Sequence, residues 1–449
     1  MNSRTVLERR FRSRVKINPD FQRRTVSYQG NKQEPGLRWM KYKEAFSSSL
    51  VKQFINDKSP RDLLDPFSGL GTAPLVAAGN GIPSTGIEIM PVGITAATAI
   101  SQVANGISRD SLRSTGSELL SRIASQQNAA SSFCFPHVKI TEKAFTNKTE
   151  RELARAREFI SQVDDPTIGH VLNFACMSVL EEVSFTRKDG QFLRWDHRCG
   201  RQMKSRVNLG EISDLTVALS NKLTQIDEDL QRVKDCYGSE KPNFLSGSCL
   251  ELLRTVPNDS VDLIVTSPPY ANRYDYTRTY ALELAWLGLD GTAFAKLRQQ
   301  LLSATVENKP KLEWLRDMYG ERFRVHETMF TEQQALAEVL GNLNKRKDEL
   351  SNPHIVRLIE GYFVEMAVVV SEMGRILRPG GTVFMVNDNV QYYGEELPVD
   401  CILSDFAEQS GLECKTIWKL ARGKGNSSQQ MGKFGRREIR KCIYEWIKP

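Results

Sequence analysis

The sequence predicts a doubly wound α/β fold: a mostly parallel, seven-stranded sheet with large helical insertions. Three observations carry that expectation. A β-α-β unit can be read within residues 61–91, seven apolar runs of strand length recur along the 449-residue chain, and sequence of helical period separates them. Hydrophobic residues make up 40% of the chain and charged residues 26%, the balance of a soluble globular protein. No apolar run reaches the ~20 residues of a membrane span. The start, MNSRTVLERRFRSRVK, is charged and lacks the apolar centre of a secretory signal, so a cytoplasmic protein is expected.

Residues 1–37 read as a basic arm. Arg4, Arg9, Arg10, Arg12, Arg14, Lys16, Arg23 and Arg24 crowd a stretch with few periodic apolar positions. With a formal net charge of +7, such clusters suit either a polyanion or plain solvation. In the β-α-β unit, DLLDPF is a short buried strand, SGLGT a glycine turn, APLVAAG a helix and IPSTGIEI a second strand. Residues 101–240 read mostly as helices and are expected to form an insertion, a candidate DNA-recognition region. Strand texture returns at NFLSGS (243–248) and VDLIVTS (261–267). A second helical insertion is expected over 290–360. RILRPGGTVFMVNDN (375–389) then reads as a helix end, a turn and a strand, and ECKTIWKLA (413–421) and KCIYEWIK (441–448) are the last two strands. The catalytic domain is thus expected over 38–100 and 241–449.

The eight cysteines contain no C-x-x-C pair, so reduced thiols and no metal are expected. Chemistry concentrates at two strand ends. Gly69 and Gly71 follow the first strand of the β-α-β unit, where a backbone without Cβ atoms can turn sharply and approach a ligand. The next helix N-terminus favours negative charge there. No Lys follows Gly71, against a phosphate-gripping loop, and Leu75 and Val76 stand where the dinucleotide fingerprint needs its third glycine. Glu88 ends the second strand, where a carboxylate can hold a ribose. Together these features favour a nucleoside-containing cofactor without a pyrophosphate.

The other strand end is Thr266-Ser267-Pro268-Pro269-Tyr270. Two prolines fix φ and remove two backbone donors. What remains is a rigid rim of carbonyl acceptors, the Ser267 hydroxyl and the flat Tyr270 ring. Such a rim suits an exocyclic amine on an aromatic base. Its lone pair is delocalised into the ring, and acceptors aimed at its hydrogens free that pair for attack on a methyl group.

DPFSGLGT, GIEI and TSPPY resemble motifs I, II and IV of S-adenosyl-L-methionine-dependent amino-group DNA methyltransferases, and the Ser-Pro-Pro-Tyr form is similar to that of the cytosine-N4 enzymes. RWMKYKEAFSSSLVKQFI (38–55) resembles motif X. The resemblance implies a Rossmann-like class I methyltransferase domain. Its implied cofactor residues are Phe46, Asp65, Phe67, Gly69, Gly71, Thr72, Glu88 and Ser248, and its catalytic residues Ser267, Pro268, Pro269 and Tyr270. The chain departs from the family at motif III, where Gly247-Ser248-Cys249 replaces Gly-Asp, and in placing motif I before TSPPY. Double-stranded DNA with a flipped-out base is the implied substrate, and a companion restriction endonuclease in a bacterium or archaeon the implied partner. Candidate DNA contacts are Arg187, Lys188, Arg194, Trp195, Arg198 and Arg201 around TRKDGQFLRWDHRCGR, with Phe192 as a further wedge. The loop 422–437 adds Arg422, Lys424, Lys433, Arg436 and Arg437. Transfer to adenine N6 or to an RNA base, and a non-catalytic nucleic-acid-binding protein, stay open as alternatives. The intact Ser267–Tyr270 run argues against the last.

Overall fold

A computed structural model describes residues 2–125, 133–189, 192–203, 206–421, 424–425, 434–435 and 438–449. Its strands, in chain order, are β1 (Val15–Lys16), β2 (Leu63–Asp65), β3 (Ser84–Glu88), β4 (Thr186–Asp189), β5 (Phe192–Trp195), β6 (Asn243–Ser246), β7 (Val261–Thr266), β8 (Leu377–Asp388), β9 (Val390–Tyr392), β10 (Glu395–Leu397), β11 (Glu413–Lys419), β12 (Lys424–Gly425), β13 (Glu438–Ile439) and β14 (Lys441–Ile447). Eight of them form one sheet in the order β1-β11-β14-β8-β7-β2-β3-β6. From β6 to β8 the strands run parallel. β14 is antiparallel to both β8 and β11. This is the mostly parallel α/β sheet that the methyltransferase resemblance implies.

The seven expected strands are β2, β3, β6, β7, β8, β11 and β14. The eighth corrects the reading of residues 1–37 as an arm. Asn2 caps the helix Ser3–Phe11 by accepting from Thr5 N, and Leu7 and Phe11, four residues apart, are both buried. Val15 and Lys16 then pair with Ile417 and Trp418. Arg4 meets Glu338 and Glu395, Arg10 meets Asp405 and Glu408, and Arg14 meets Glu408. Three of the arm's eight cations, Arg4, Arg10 and Arg14, are therefore answered within the chain.

β2 is buried along its whole length, as expected of a strand covered on both faces. On one face Phe54 stacks on Phe384 with ring centroids 3.8 Å apart. Each ring contributes ~2–3 kcal/mol by leaving water. The helices Arg109–Ala124, Asn147–Ile160, Pro166–Val179 and Leu215–Tyr237 continue this same core through Leu119, Leu153, Leu172 and Leu219. The other face is covered by Ile355–Ile376, an apolar helix extended by Leu315, Phe323 and Leu336 from the helices before it. Both layers leave the carboxyl ends of β2, β3, β6 and β7 facing one cleft.

Candidate active site

The cleft opens to solvent and spans about 730 Å³, counting the space outside its mouth. Phe46, Phe67, Gly69, Thr72, Glu88, Ser248, Ser267 and Pro269 all line it. Asp65 stands buried behind them at the end of β2, Gly71 precedes the helix Thr72–Gly79, and Pro268 is turned inward. Tyr270 is partly exposed beside Ser267.

Gly69 and Gly71 have φ of +55° and +78°. A Cβ on Gly69 would stand 3.1 Å from the Tyr42 ring, and one on Gly71 2.7 Å from Phe244. Neither position accepts a side chain without moving an aromatic wall. Glu88 fixes the loop, since its Oε2 accepts from Gly69 N at 2.6 Å and its Oε1 from Met90 N at 2.7 Å. Burial pushes its carboxyl up, and these N–H donors pull it back. Each oxygen keeps a further lone pair. Asp65 is pushed up to about 7, chiefly by burial, against hydrogen bonds from Thr266 and Phe67. Its Oδ1 accepts from Thr266 Oγ1 at 2.7 Å and from Phe67 N at 3.0 Å, and its Oδ2 has no partner.

Ser68 Oγ and Thr72 Oγ1 are also buried without partners, on two residues that line the cleft, one in the turn before the helix Thr72–Gly79 and one at its start. Two free hydroxyls at a helix N-terminus fit a carboxylate. The Glu88 lone pairs fit a ribose, and Phe46, Phe67, Ile89 and Met90 supply apolar walls for a ring. The cleft thus suits a nucleoside that carries an amino acid. Among the described residues, no group of three or more His, Cys, Asp or Glu side chains stands close enough to hold a metal, and no helix is long and apolar enough to cross a membrane.

At the rim, Ser267 Oγ donates to the Val386 carbonyl at 3.1 Å and lies 3.4 Å from the Tyr270 hydroxyl. Lys441 Nζ donates to the Tyr270 oxygen at 3.1 Å and lies 3.0 Å from Asp388 Oδ1. Burial, the largest single influence, would lower the Lys441 ammonium; Asp388 and Tyr270 together outweigh it and the net shift is upward. Cys249 lines the cleft with its thiol pushed up by burial, the opposite of an activated thiolate.

Sequence reasoning missed Tyr42, Glu44, Tyr276, Leu301 and Leu302, which also line the cleft. Tyr42 stacks on Tyr280 with centroids 5.0 Å apart, and the Tyr280 hydroxyl donates to Glu44 at 2.6 Å. The aromatic density of YANRYDYTRTY signalled Tyr276. Nothing local signals Leu301 and Leu302, which follow the helix Gly291–Gln300.

The β4–β5 hairpin packs beside the helix Tyr276–Thr279, next to the cleft. Its residues require corrections. Lys188 is not a surface cation: its side chain is 4% exposed, pairs with the buried Glu283 and sits 4.6 Å over the Tyr280 ring. Trp195 is not a free wedge, because the Arg201 guanidinium covers it at 3.7 Å. Arg201 also donates to the carbonyls of Lys139, Ile140 and Glu142, and Arg187 to those of Ser184 and Thr186. Arg198 grips the buried Asp196 with two bonds of 2.7 Å. Arg194 is exposed and pairs with Asp189 on the same hairpin. Arg422, Lys433, Arg436, Arg437 and the Phe192 and Lys424 side chains lie outside what the structure describes.

No family model matches the chain. It is 41% identical over 459 residues to the type II methyltransferase M.AvaI of Nostoc sp. (strain PCC 7120 / SAG 25.82 / UTEX 2576), covering 99% of this chain and 92% of the relative. The M.AvaI of Anabaena variabilis matches at the same identity and coverage. The type II methyltransferase M.BsoBI of Geobacillus stearothermophilus is 37% identical over 479 residues, with 99% and 92% covered.

Proposed function

The chain belongs to the type II methyltransferases, and from that premise we propose that it methylates the exocyclic N4 amine of a cytosine flipped out of duplex DNA. One observation carries the choice of an amine: Ser267 commits its own proton to the Val386 carbonyl at 3.1 Å. Of its two lone pairs one lies toward the Tyr270 hydroxyl and the other is open to accept, and an amine is a group that donates to it. Pro268 and Pro269 contribute no competing N–H. Tyr270 offers a face for the ring, and base–aromatic stacking contributes ~1–3 kcal/mol toward the cost of unstacking.

S-adenosyl-L-methionine, bound along Phe46, Phe67, Gly69, Thr72 and Glu88, supplies an electrophilic methyl group. Ser68 and Thr72 take the amino-acid carboxylate, and Glu88 takes the ribose. Ser267 and the proline carbonyls hold the amine's hydrogens so that its lone pair points away from the ring. As the N–CH3 bond forms, the sulfonium would leave as a neutral thioether, and the methylated amine would release one of those protons to solvent. Cys249 takes no part, since a protonated buried thiol is no nucleophile. The β4–β5 hairpin beside the cleft contacts the DNA backbone through Arg194. A companion restriction endonuclease of the same site specificity is the expected partner, in the cytoplasm of a prokaryote.

The test is incubation with S-adenosylmethionine labelled in its methyl group and with duplex DNA, followed by digestion to nucleosides. Label in N4-methylcytosine is expected. Tyr270→Ala is expected to lose most of it, and Cys249→Ser to keep it. Label in N6-methyladenine, or in RNA alone, overturns the proposal.

A further inference from the structure

Tyr270 is held from behind by a pair that the motif does not contain. Lys441 opens β14 and Asp388 closes β8, and the two face each other directly in the antiparallel register. Their side chains are 14% and 8% exposed. The ammonium donates to the Tyr270 oxygen at 3.1 Å and lies 5.0 Å from the centre of its ring. Beyond Tyr270, the row continues to Ser267 at 3.4 Å and ends on the Val386 carbonyl.

The two ends of this row are chemically one-sided. An ammonium can only donate and a carbonyl can only accept. With Lys441 giving to Tyr270, the tyrosine must turn its own proton outward, and Ser267 is its neighbour. With Val386 accepting from Ser267, the serine keeps lone pairs for other donors. Rows of this kind polarise in one sense.

We propose that Lys441, neutralised by Asp388, is a positioning residue for methyl transfer: it fixes the ring and hydroxyl direction of Tyr270, and through Tyr270 the acceptor sense of Ser267. This rests on the reading of the Ser267–Tyr270 rim as the amine-binding site. An ordinary buried ion pair would need neither tyrosine nor serine. The carboxylate has a definite task in the arrangement. The amine gains positive charge as it is methylated, and an uncompensated ammonium nearby would oppose that charge in a low dielectric. Asp388 cancels the field of Lys441 while leaving its hydrogen bond in place.

The test is a double-mutant cycle on the full chain with wild type, Lys441→Met, Tyr270→Phe and the double variant. It reads kcat and KM on duplex DNA, with the cofactor Kd from calorimetry. Lys441→Met is expected to lower kcat roughly ten- to hundredfold while the cofactor Kd stays unchanged. Lys441→Arg, which still donates, restores most of the loss. In the Tyr270→Phe background, Lys441→Met costs nothing further, because the oxygen it addresses is gone. Equal losses in both backgrounds overturn the positioning role. If Lys441→Met fails to fold, Lys441→Gln completes the same cycle. Wild type that puts label in cytosine while the cycle is additive defeats this role alone. Wild type that labels no cytosine defeats the reading of the site, and this role with it.

Discussion

Asp65 ends β2 with a carboxylate that has two donors on one oxygen and none on the other. Burial dominates, and its pKa of about 7 lies well above the unfolded value of ~3.9. The folded state therefore binds this proton more tightly than the unfolded state. The sign follows by linkage: the contribution is fully present below ~pH 4 and is lost as pH rises through about 7. Asn at this position cannot titrate. In the cofactor-free protein, the melting temperature of Asp65→Asn relative to wild type is expected to climb between pH 5 and pH 8. The underlying difference is on the order of a few kcal/mol. A difference that stays level across that range would show that Asp65 ionises normally in the fold. Residues such as Asp65, Gly69, Glu88 and Ser267 were legible in the sequence because their surroundings are local: a strand, its end, and the turn that follows. Lys441 was not. Its partner Asp388 is set by strand register, and its target Tyr270 by the order of β7, β8 and β14 in the sheet.

At the scale of elements, the β4–β5 hairpin shows how charge in a sequence can mislead. TRKDGQFLRWDHRCGR reads as one basic surface, yet the structure divides it. Alternation along β4 turns Lys188 inward to Glu283, on the helix Ala281–Trp286 that follows the Ser267–Tyr270 loop. Alternation along β5 leaves Arg194 outward. The same substitution type should then give different outcomes at the two positions. Lys188→Met strands the Glu283 carboxylate and is expected to cost ~3–5 kcal/mol of stability, measured by chemical denaturation. Arg194→Ala is expected to leave stability unchanged and to weaken duplex binding at moderate salt, with a smaller dependence of affinity on salt concentration. Affinity unchanged in Arg194→Ala would remove the hairpin from the DNA interface. The strands themselves were readable because their period and their glycine or proline ends are written in consecutive residues. The division of charge between interior and surface was not, because it depends on which helix each strand face meets.

The whole molecule joins segments that lie far apart in sequence, and the N-terminal residues are its tie. The helix Ser3–Phe11 reaches four places: Arg4 meets Glu338 in the helix Gln334–Lys345 and Glu395 in β10, Arg10 meets Asp405 in the helix Val399–Gln409, and Glu8 meets Arg440 just before β14. Leu7 and Phe11 join the core on the Ile355–Ile376 face of the sheet. Arg440 stands next to Lys441, so this tie ends one residue from the pair behind Tyr270. The exposed ion pairs contribute little each, and the buried ring contributes most. Phe11→Ala, at a fully buried position, is expected to lower stability by ~3–5 kcal/mol. A loose basic arm that grips DNA would behave in the opposite way: Phe11→Ala would leave the unfolding transition in place, and removing residues 2–16 would weaken DNA binding without destabilising the protein. Denaturation of Phe11→Ala, beside duplex titrations of the wild type and the truncated chain at one salt concentration, separates the two outcomes. An unshifted unfolding midpoint in Phe11→Ala would return these residues to the DNA-binding surface.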